Sequence, residues 1–393
     1  MDNFIYNTPT KVYFGKDEEL KIGKIVKEYN PHLVLIIYGG GSIKKNGLYQ
    51  RVINSLNEED IKNIELSGVI PNPELPLVYQ GIKLAKESSV DFILAIGGGS
   101  VLDTAKDIAN GVANPNDDVW DYHIGKSKPV NTLHKGAILT IAAAGSEMSN
   151  SCVITNPSTK EKRGYGNELN RFDFAIENPE LTYSVSKYQT ACGIVDISMH
   201  TIERYFDLGD DTDLVDDIAL AVIKNTFKFG TIAYHNPTDY HARSELMWAS
   251  SLAHNGLTHS GRKFLLTVHQ LEHVLSAFDS NIAHGAGLAA LWCSWARYTY
   301  KYCFDRFLKY VHEIWNIKGN DEEAILEGIK KQEDYYKSIG MPTSLEELDI
   351  KKEDIEQLAV KCSNNKTRII PGYLPLGYKE ILDIYTLAYS KKE

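Results

Sequence analysis

The first half of the chain alternates short, almost uninterrupted apolar runs with amphipathic stretches. Residues 32–38 (HLVLIIY), 91–96 (DFILAI) and 137–142 (AILTIA) are the clearest runs. A strand covered by helices on both faces of a parallel sheet has no side to show to water, so it loses the strict apolar–polar alternation. The pattern predicts an α/β domain over residues 1–186, built on a parallel, Rossmann-like sheet. From about Lys187 the periodicity becomes that of long helices, over residues 189–206, 214–234, 239–257 and 265–278, and few strand candidates follow. An all-helical domain is therefore expected over residues 187–393. The charged stretch at residues 320–323 reads as the solvated start of a further helix.

Composition narrows the class. The 393 residues, 43% hydrophobic and 24% charged, are ordinary for a folded protein and suit two domains of roughly 150 residues or more each. A net charge of -10 argues against a nucleic-acid partner, because binding to a phosphate backbone relies on Lys and Arg displacing counterions. No segment approaches the roughly 18 apolar residues of a membrane span. The first residues lack a charged start followed by an apolar run, so no signal peptide is expected. The cysteines, Cys152, Cys192, Cys293, Cys303 and Cys362, are odd in number and form no C-x-x-C pair, which suits a reducing compartment. The expectation is a cytoplasmic protein.

Two of the apolar regions run into the same tetrapeptide, Gly39-Gly40-Gly41-Ser42 and Gly97-Gly98-Gly99-Ser100. Glycine lets the backbone come close to a phosphate, and the helix that follows offers unpaired N–H groups and the positive end of its dipole. One such turn is as consistent with a tight bend as with a ligand; two on parallel strands favour a dinucleotide. Neither is the common G-x-G-x-x-G fingerprint. The strand ending at Tyr38 also lacks an acidic residue to bind a ribose 2'-hydroxyl, and carries Gly39, Ser42, Lys44 and Lys45 instead. Small residues and two cations suit a 2'-phosphate, which points to NADPH.

Nine of the twelve histidines lie after residue 199. GIVDISMHTIERYF puts Asp196 and His200 four apart on one helix face, and TVHQLEHVLSAF does the same for His269 and His273. His284 follows in HGAGLAA. Taken singly, each pair is more often an incidental polar pair than a ligand set. If the two helices pack, these residues converge into a carboxylate and imidazole site for Zn2+, Fe2+ or a related divalent ion.

From FIYNTPTKVYFGK, YGGGSIKKNGLYQRV, GVIPNPELPLV, AIGGGSVLDTAKDIA and AAAGSEMS to NPELTYSVSKYQTACGIVDISMHTIERYF, HQLEHVLSAF and HGAGLAALW, the chain resembles the iron-containing (group III) alcohol dehydrogenase family, most closely its NADPH-dependent butanol dehydrogenase branch. The resemblance implies a dehydroquinate synthase-like fold and a divalent ion held by Asp196, His200, His269 and His284. His273 matches a further histidine near substrate and nicotinamide. The dinucleotide would lie on Gly39, Gly40 and Ser42 at its adenosine end, then on Asn72. It would continue along Gly97, Gly98, Gly99, Ser100 and Asp103 at the pyrophosphate, with Thr140, Ser146, Lys162 and Leu181 lining the cleft. A homodimer that uses the first strand, around residues 7–14, is also implied. The chain departs from the branch at three points. GRKFLLTVH stands where a Gly-Asp-Trp approach is usual, the interval from His273 to His284 is one residue longer, and Ala144 replaces a threonine.

The implied reaction is hydride transfer between a small alcohol or aldehyde and the nicotinamide, with the metal as Lewis acid and His273 relaying the hydroxyl proton. A polyol or sugar-phosphate enzyme of the same superfamily is the first rival. A metal-dependent hydrolase would explain the Asp and His cluster but not the two glycine turns. A catalytically silent NADPH-binding protein would follow if the departures disabled the metal site.

Overall fold

In the computed structural model, which describes residues 1–389, the first half of the chain forms eight strands. They are β1 (Lys11–Phe14), β2 (Val34–Tyr38), β3 (Asn63–Leu66), β4 (Phe92–Gly97), β5 (His134–Leu139), β6 (Ser151–Asn156), β7 (Glu161–Gly166) and β8 (Phe174–Glu177). Six make one parallel sheet in the order β1-β8-β5-β4-β2-β3. The chain leaves β2 toward β3, then crosses back to lay β4 on the other side of β2. β2 and β4 therefore flank the point where the winding reverses, the place where doubly wound sheets bind ligands at their carboxyl ends.

β2 and β4 are buried along their whole length, as the apolar runs require. Leu35, Ile37, Ile93, Ala95 and Ala137 pack on one face of the sheet with residues of the Leu75–Ser88 and Gly99–Ala113 helices. Val34, Ile36, Phe92, Leu94 and Ile138 pack on the other with residues of the Leu48–Glu58 helix. The third predicted strand lies three residues earlier than its apolar run suggests. The last ladder bond to β4 comes from Thr140 N–H to Gly97 O at 3.0 Å, and the polar start of β5 includes Lys135, which is buried. The antiparallel pair β6–β7 went unpredicted, because EKRGYG is mostly polar and exposed.

The helical part of the chain includes Lys187–Tyr205, Asp213–His235, Thr267–Phe278 and His284–Thr299. The charged stretch does start a helix, Glu322–Ser338, with Asp321 accepting from Ala324 N–H as its cap. None of the described helices is long and apolar enough to cross a membrane. Two compact units emerge, and they do not follow one cut near residue 186. One joins Met1–Tyr6 and Ser186–His235 to the chain from Gly256 onward; the other joins Asn7–Val185 to Asn236–Asn255.

The Tyr240–His254 helix belongs to the α/β unit because its polar side is bonded there. Ser250 Oγ accepts Gly145 N–H at 3.1 Å, and His254 Nδ1 meets Ala144 O at 2.7 Å. Ser251 Oγ lies 2.7 Å from Glu147 Oε1 and 2.9 Å from Glu177 Oε1. One hydroxyl proton serves one acceptor, so the second carboxyl group must bring its own proton. Burial pushes both carboxyls above the ordinary carboxylate range, and at Glu177 the neighbouring Glu147 charge adds to it. This cluster fixes the loop that carries Ser146.

A carboxyl with a raised folded-state pKa holds a proton that the unfolded chain releases above about pH 4.3. Its stabilising contribution is complete below that pH and is lost as pH rises through the folded value. Glu177→Gln removes this penalty. It is expected to raise Tm at pH 8 by about 2–4 °C for each kcal/mol relieved, and by less at pH 5, as read by thermal melts at the two pH values.

Candidate active site

Helix Lys187–Tyr205 opens on a Ser186 cap, whose Oγ accepts Gln189 N–H at 3.2 Å, and runs almost wholly buried. Its i, i+4 spacing brings His200 Nδ1 to 3.5 Å from Asp196 Oδ1. Helix His284–Thr299 comes close beside it: a Cβ on Gly285 would stand 2.3 Å from the Cys192 carbonyl oxygen, so a larger residue would force the helices apart. The same Asp196 Oδ1 lies 3.7 Å from His269 Nε2 and 3.8 Å from His284 Nε2. The imidazoles follow one another, with ring centroids 4.5 Å apart for His200 and His269 and 5.1 Å for His269 and His284.

These separations are too long for hydrogen bonds. Four ligands at about 2.0–2.2 Å from a tetrahedral ion stand roughly 3.3–3.6 Å apart, close to what is seen. Asp196 Oδ1 and His269 Nε2 are buried and have no hydrogen-bond partner among the described residues. A carboxylate oxygen left so is costly unless a cation compensates it. The residues present therefore fit a divalent ion. The extra residue after His273 leaves His284 Nε2 3.8 Å from Asp196 Oδ1, while the mutually close donor groups are Asp196, His200 and His269 on one side and Glu272, His273 and His284 on the other. His284 is the most open of the group, its side chain 24% exposed, which gives this centre a solvent-facing side.

Two carboxylates that the sequence reading passed over set the direction of the imidazoles. Glu203, buried on the same helix as His200, hydrogen-bonds His269 Nδ1. It also accepts Val268 N–H at 2.5 Å and His269 N–H at 3.2 Å. The Thr267–Phe278 helix starts at Leu266, which has φ 49° and no capping side chain, so Glu203 serves as its cap from outside. Glu272, fully buried, hydrogen-bonds His284 Nδ1 and accepts the Ser276 hydroxyl. With Nδ1–H committed to a carboxylate, each ring turns an Nε2 lone pair toward Asp196. Burial works to lower the His269 pKa, but the Glu203 charge, the bond to Glu203 and the nearby Asp196 charge outweigh it and lift it to about 9. The signal for Glu203 was its place three residues after His200, and for Glu272 its place three after His269. His273 is half-buried, its ring 5.6 Å from that of His284.

The dinucleotide candidates gather in the other unit. Gly39 to Ser42 follow β2, Gly97 ends β4, Gly98 to Ser100 follow it and Thr140 follows β5, so all lie at the carboxyl edge of adjacent parallel strands. Gly41 has φ 99°, a conformation side chains resist, and this lets the chain turn sharply after Gly39 and Gly40. Asp103 Oδ1 accepts the Ser146 hydroxyl at 2.5 Å and Lys106 Nζ at 3.2 Å, while its Oδ2 accepts Val153 N–H at 3.0 Å. The fully buried Lys106 also reaches Ser146 Oγ at 2.7 Å. Asp103 is thus a brace that holds Ser146 and β6 and balances a buried ammonium. Lys162 Nζ donates to Asn72 Oδ1 at 2.9 Å, and Leu181 is buried with Ile138 and Ile176.

Comparison with known proteins covers both units. Residues 9–179 match the family described as iron-containing alcohol dehydrogenase, and residues 190–389 match the C-terminal region of the Fe-containing alcohol dehydrogenase family. The chain is 41% identical to NADH-dependent butanol dehydrogenase A of Clostridium acetobutylicum, over 99% of this chain and 100% of that one. It is 34% identical to the NADPH-dependent aldehyde reductase YqhD of Escherichia coli, over 93% and 94%. The crystal structure of NADH-dependent butanol dehydrogenase A from Thermotoga maritima superposes with a TM-score of 0.95 at 37% identity, covering 99% of both chains.

Glu272→Gln keeps the size of the side chain but can no longer hold the His284 tautomer with a full charge. It is expected to weaken divalent-metal binding by about 10- to 100-fold, measured by competition with a chelator of known affinity. Unchanged affinity would show that Glu272 does not orient His284.

Proposed function

Because the chain belongs to the iron-containing alcohol dehydrogenase family, we propose that it is an NADPH-linked enzyme for small primary alcohols and aldehydes. In this reading Asp196, His200, His269 and His284 hold Fe2+ or Zn2+. Alcohol dehydrogenase and aldehyde reductase chemistry, with a nicotinamide cofactor and a divalent metal, is what the family carries out and what this chain does. One observation carries the ligand assignment: Asp196 Oδ1, buried and without a hydrogen-bond partner among the described residues, lies 3.5, 3.7 and 3.8 Å from three imidazole nitrogens.

When bound, the ion supplies Lewis-acid stabilisation of an alcohol or carbonyl oxygen, and the nicotinamide supplies or accepts the hydride. The chain's own residues do the rest. Asp196 brings the negative charge that makes a cation welcome in a buried site. Glu203 and Glu272 hold His269 and His284 in the tautomer that presents Nε2. His273, half-buried beside His284, is suited to take the hydroxyl proton in oxidation and return it in reduction, since an imidazole titrates near neutral pH. In the α/β unit, the glycine turns after β2 and β4 offer backbone N–H groups to phosphates, with Ser146 held by Asp103 and Lys106.

The preference for NADPH is supported by Gly39, which puts no acidic side chain after β2, and by Lys44 and Lys45 nearby. The relatives' names point both ways, NADH for the butanol dehydrogenases and NADPH for the aldehyde reductase. Gly39→Asp is expected to shift the ratio of kcat/KM values from NADPH toward NADH. Equal or better turnover of the unaltered protein with NADH would overturn this reading of the first turn.

His284→Ala tests the ligand set. A half-open histidine is not a core anchor, so the variant should stay folded and still bind NADPH, while losing its metal and about a thousandfold in turnover, equivalent to ~4 kcal/mol. Metal content and activity are measured on the same preparation. A variant that keeps stoichiometric metal and near-normal turnover would remove His284 from the site.

A further inference from the structure

The two cations after the first glycine turn are not equivalent. Lys45 is exposed. Lys44 sits in a cage: its Nζ lies 3.2 and 3.1 Å from the two carboxylate oxygens of Glu65 and stands 4.5 and 5.0 Å from the ring centroids of Tyr49 and Tyr38. The Tyr38 hydroxyl donates to Glu65 Oε2 at 2.9 Å, so the carboxylate is itself held in position. The two tyrosine rings pack together with centroids 5.7 Å apart.

Glu65 lies on β3, the strand that follows the first glycine turn and pairs beside β2, opposite Ile36. Its charge is turned onto Lys44.

We propose that Glu65 determines how strongly this enzyme discriminates between coenzymes, by holding Lys44 in an ion pair and so withholding that cation from a 2'-phosphate. The inference rests on the reading that the first turn receives the adenosine end of the dinucleotide. A 2'-phosphorylated coenzyme must draw Lys44 out of its cage before using it, whereas a coenzyme with a plain 2'-hydroxyl leaves the pair intact. Both side chains are a little under half exposed, at 44% and 43%, so water screens the pair and the effect is a moderate one. Removing the charge of Glu65 without changing its shape should therefore favour the 2'-phosphate and leave the rest of the adenosine site alone.

The test uses the full chain and two probes, adenosine 2',5'-bisphosphate and AMP, with dissociation constants measured by calorimetry for the unaltered protein, Glu65→Gln, Lys44→Met and the double variant. Glu65→Gln is expected to tighten the bisphosphate about fivefold, to change AMP by less than twofold, and to shift the NADPH to NADH ratio of kcat/KM values in the same direction. In the Lys44→Met background the gain should shrink by at least half on a logarithmic scale. A purely structural role for Glu65 would move both probes together, and that result, or a full gain without Lys44, would overturn the proposal. If both probes bind and Glu65→Gln leaves their ratio unchanged, this inference fails while the adenosine site stands. If neither probe binds, both fall. A wild-type preference for NADH combined with the expected Glu65→Gln shift would overturn the coenzyme assignment and uphold the role of Glu65.

Discussion

A buried carboxylate oxygen that no hydrogen bond among the described residues satisfies is the constraint around which the helical unit is organised. Asp196 Oδ1 lies inside the unit with three imidazole nitrogens at distances suited to sharing a cation. Such an arrangement is costly in the absence of an ion, and the surrounding structure keeps it from relaxing. Glu203 ties His269 to the Lys187–Tyr205 helix and caps the helix that carries it; Glu272 ties His284 to the Thr267–Phe278 helix. Each histidine is fixed at Nδ1, so neither ring can turn to satisfy itself elsewhere. The geometry of the centre is thus paid for in buried charge, and metal binding returns that cost as stability.

The α/β unit solves a different problem with the same economy of means. At its carboxyl edge β2 and β4 both run into glycines, for different reasons: Gly41 takes φ 99°, a conformation side chains resist, whereas a Cβ on Gly97 would stand 2.5 Å from Val101 and one on Gly99 2.9 Å from Ala144. Buried polar groups then lock the loops around that edge. Lys106 and Asp103 hold Ser146, and Glu147, Glu177 and Ser251 fasten the Tyr240–His254 helix to the same region. This explains why a helix distant in sequence counts with the sheet: its contacts are polar and specific, and no periodicity in residues 239–257 announces them.

The elements were legible to different degrees for physical reasons. β2 and β4 could be read because a doubly covered strand must be apolar throughout; β5 was misplaced by three residues because its first turn of sequence, His134 and Lys135, is polar although Lys135 is buried. β7 left no apolar signature to find, and β6 only the short run Cys152, Val153 and Ile154. Among the candidate ligands, helical spacing singled out Asp196 with His200 and His269 with His273, and resemblance alone selected Asp196, His200, His269 and His284 as the set. Glu203, Glu272 and Lys106 were singled out by neither, since a charged residue in an amphipathic stretch ordinarily means a solvated face.

The sequence by itself determined the class of the protein: a parallel α/β region with two glycine turns, a helical region with spaced aspartate and histidine residues, and the family to which both belong. These follow from local rules, in which periodicity sets the element and residue type sets the chemistry available to it. The tertiary structure alone decided which carboxylate oxygen comes to lie amid three imidazole nitrogens, which charges are buried beside it, and that Lys44 is already engaged by Glu65. Such facts depend on the distance between residues far apart in the chain and on how much water reaches them, and neither quantity is written in any local stretch of sequence.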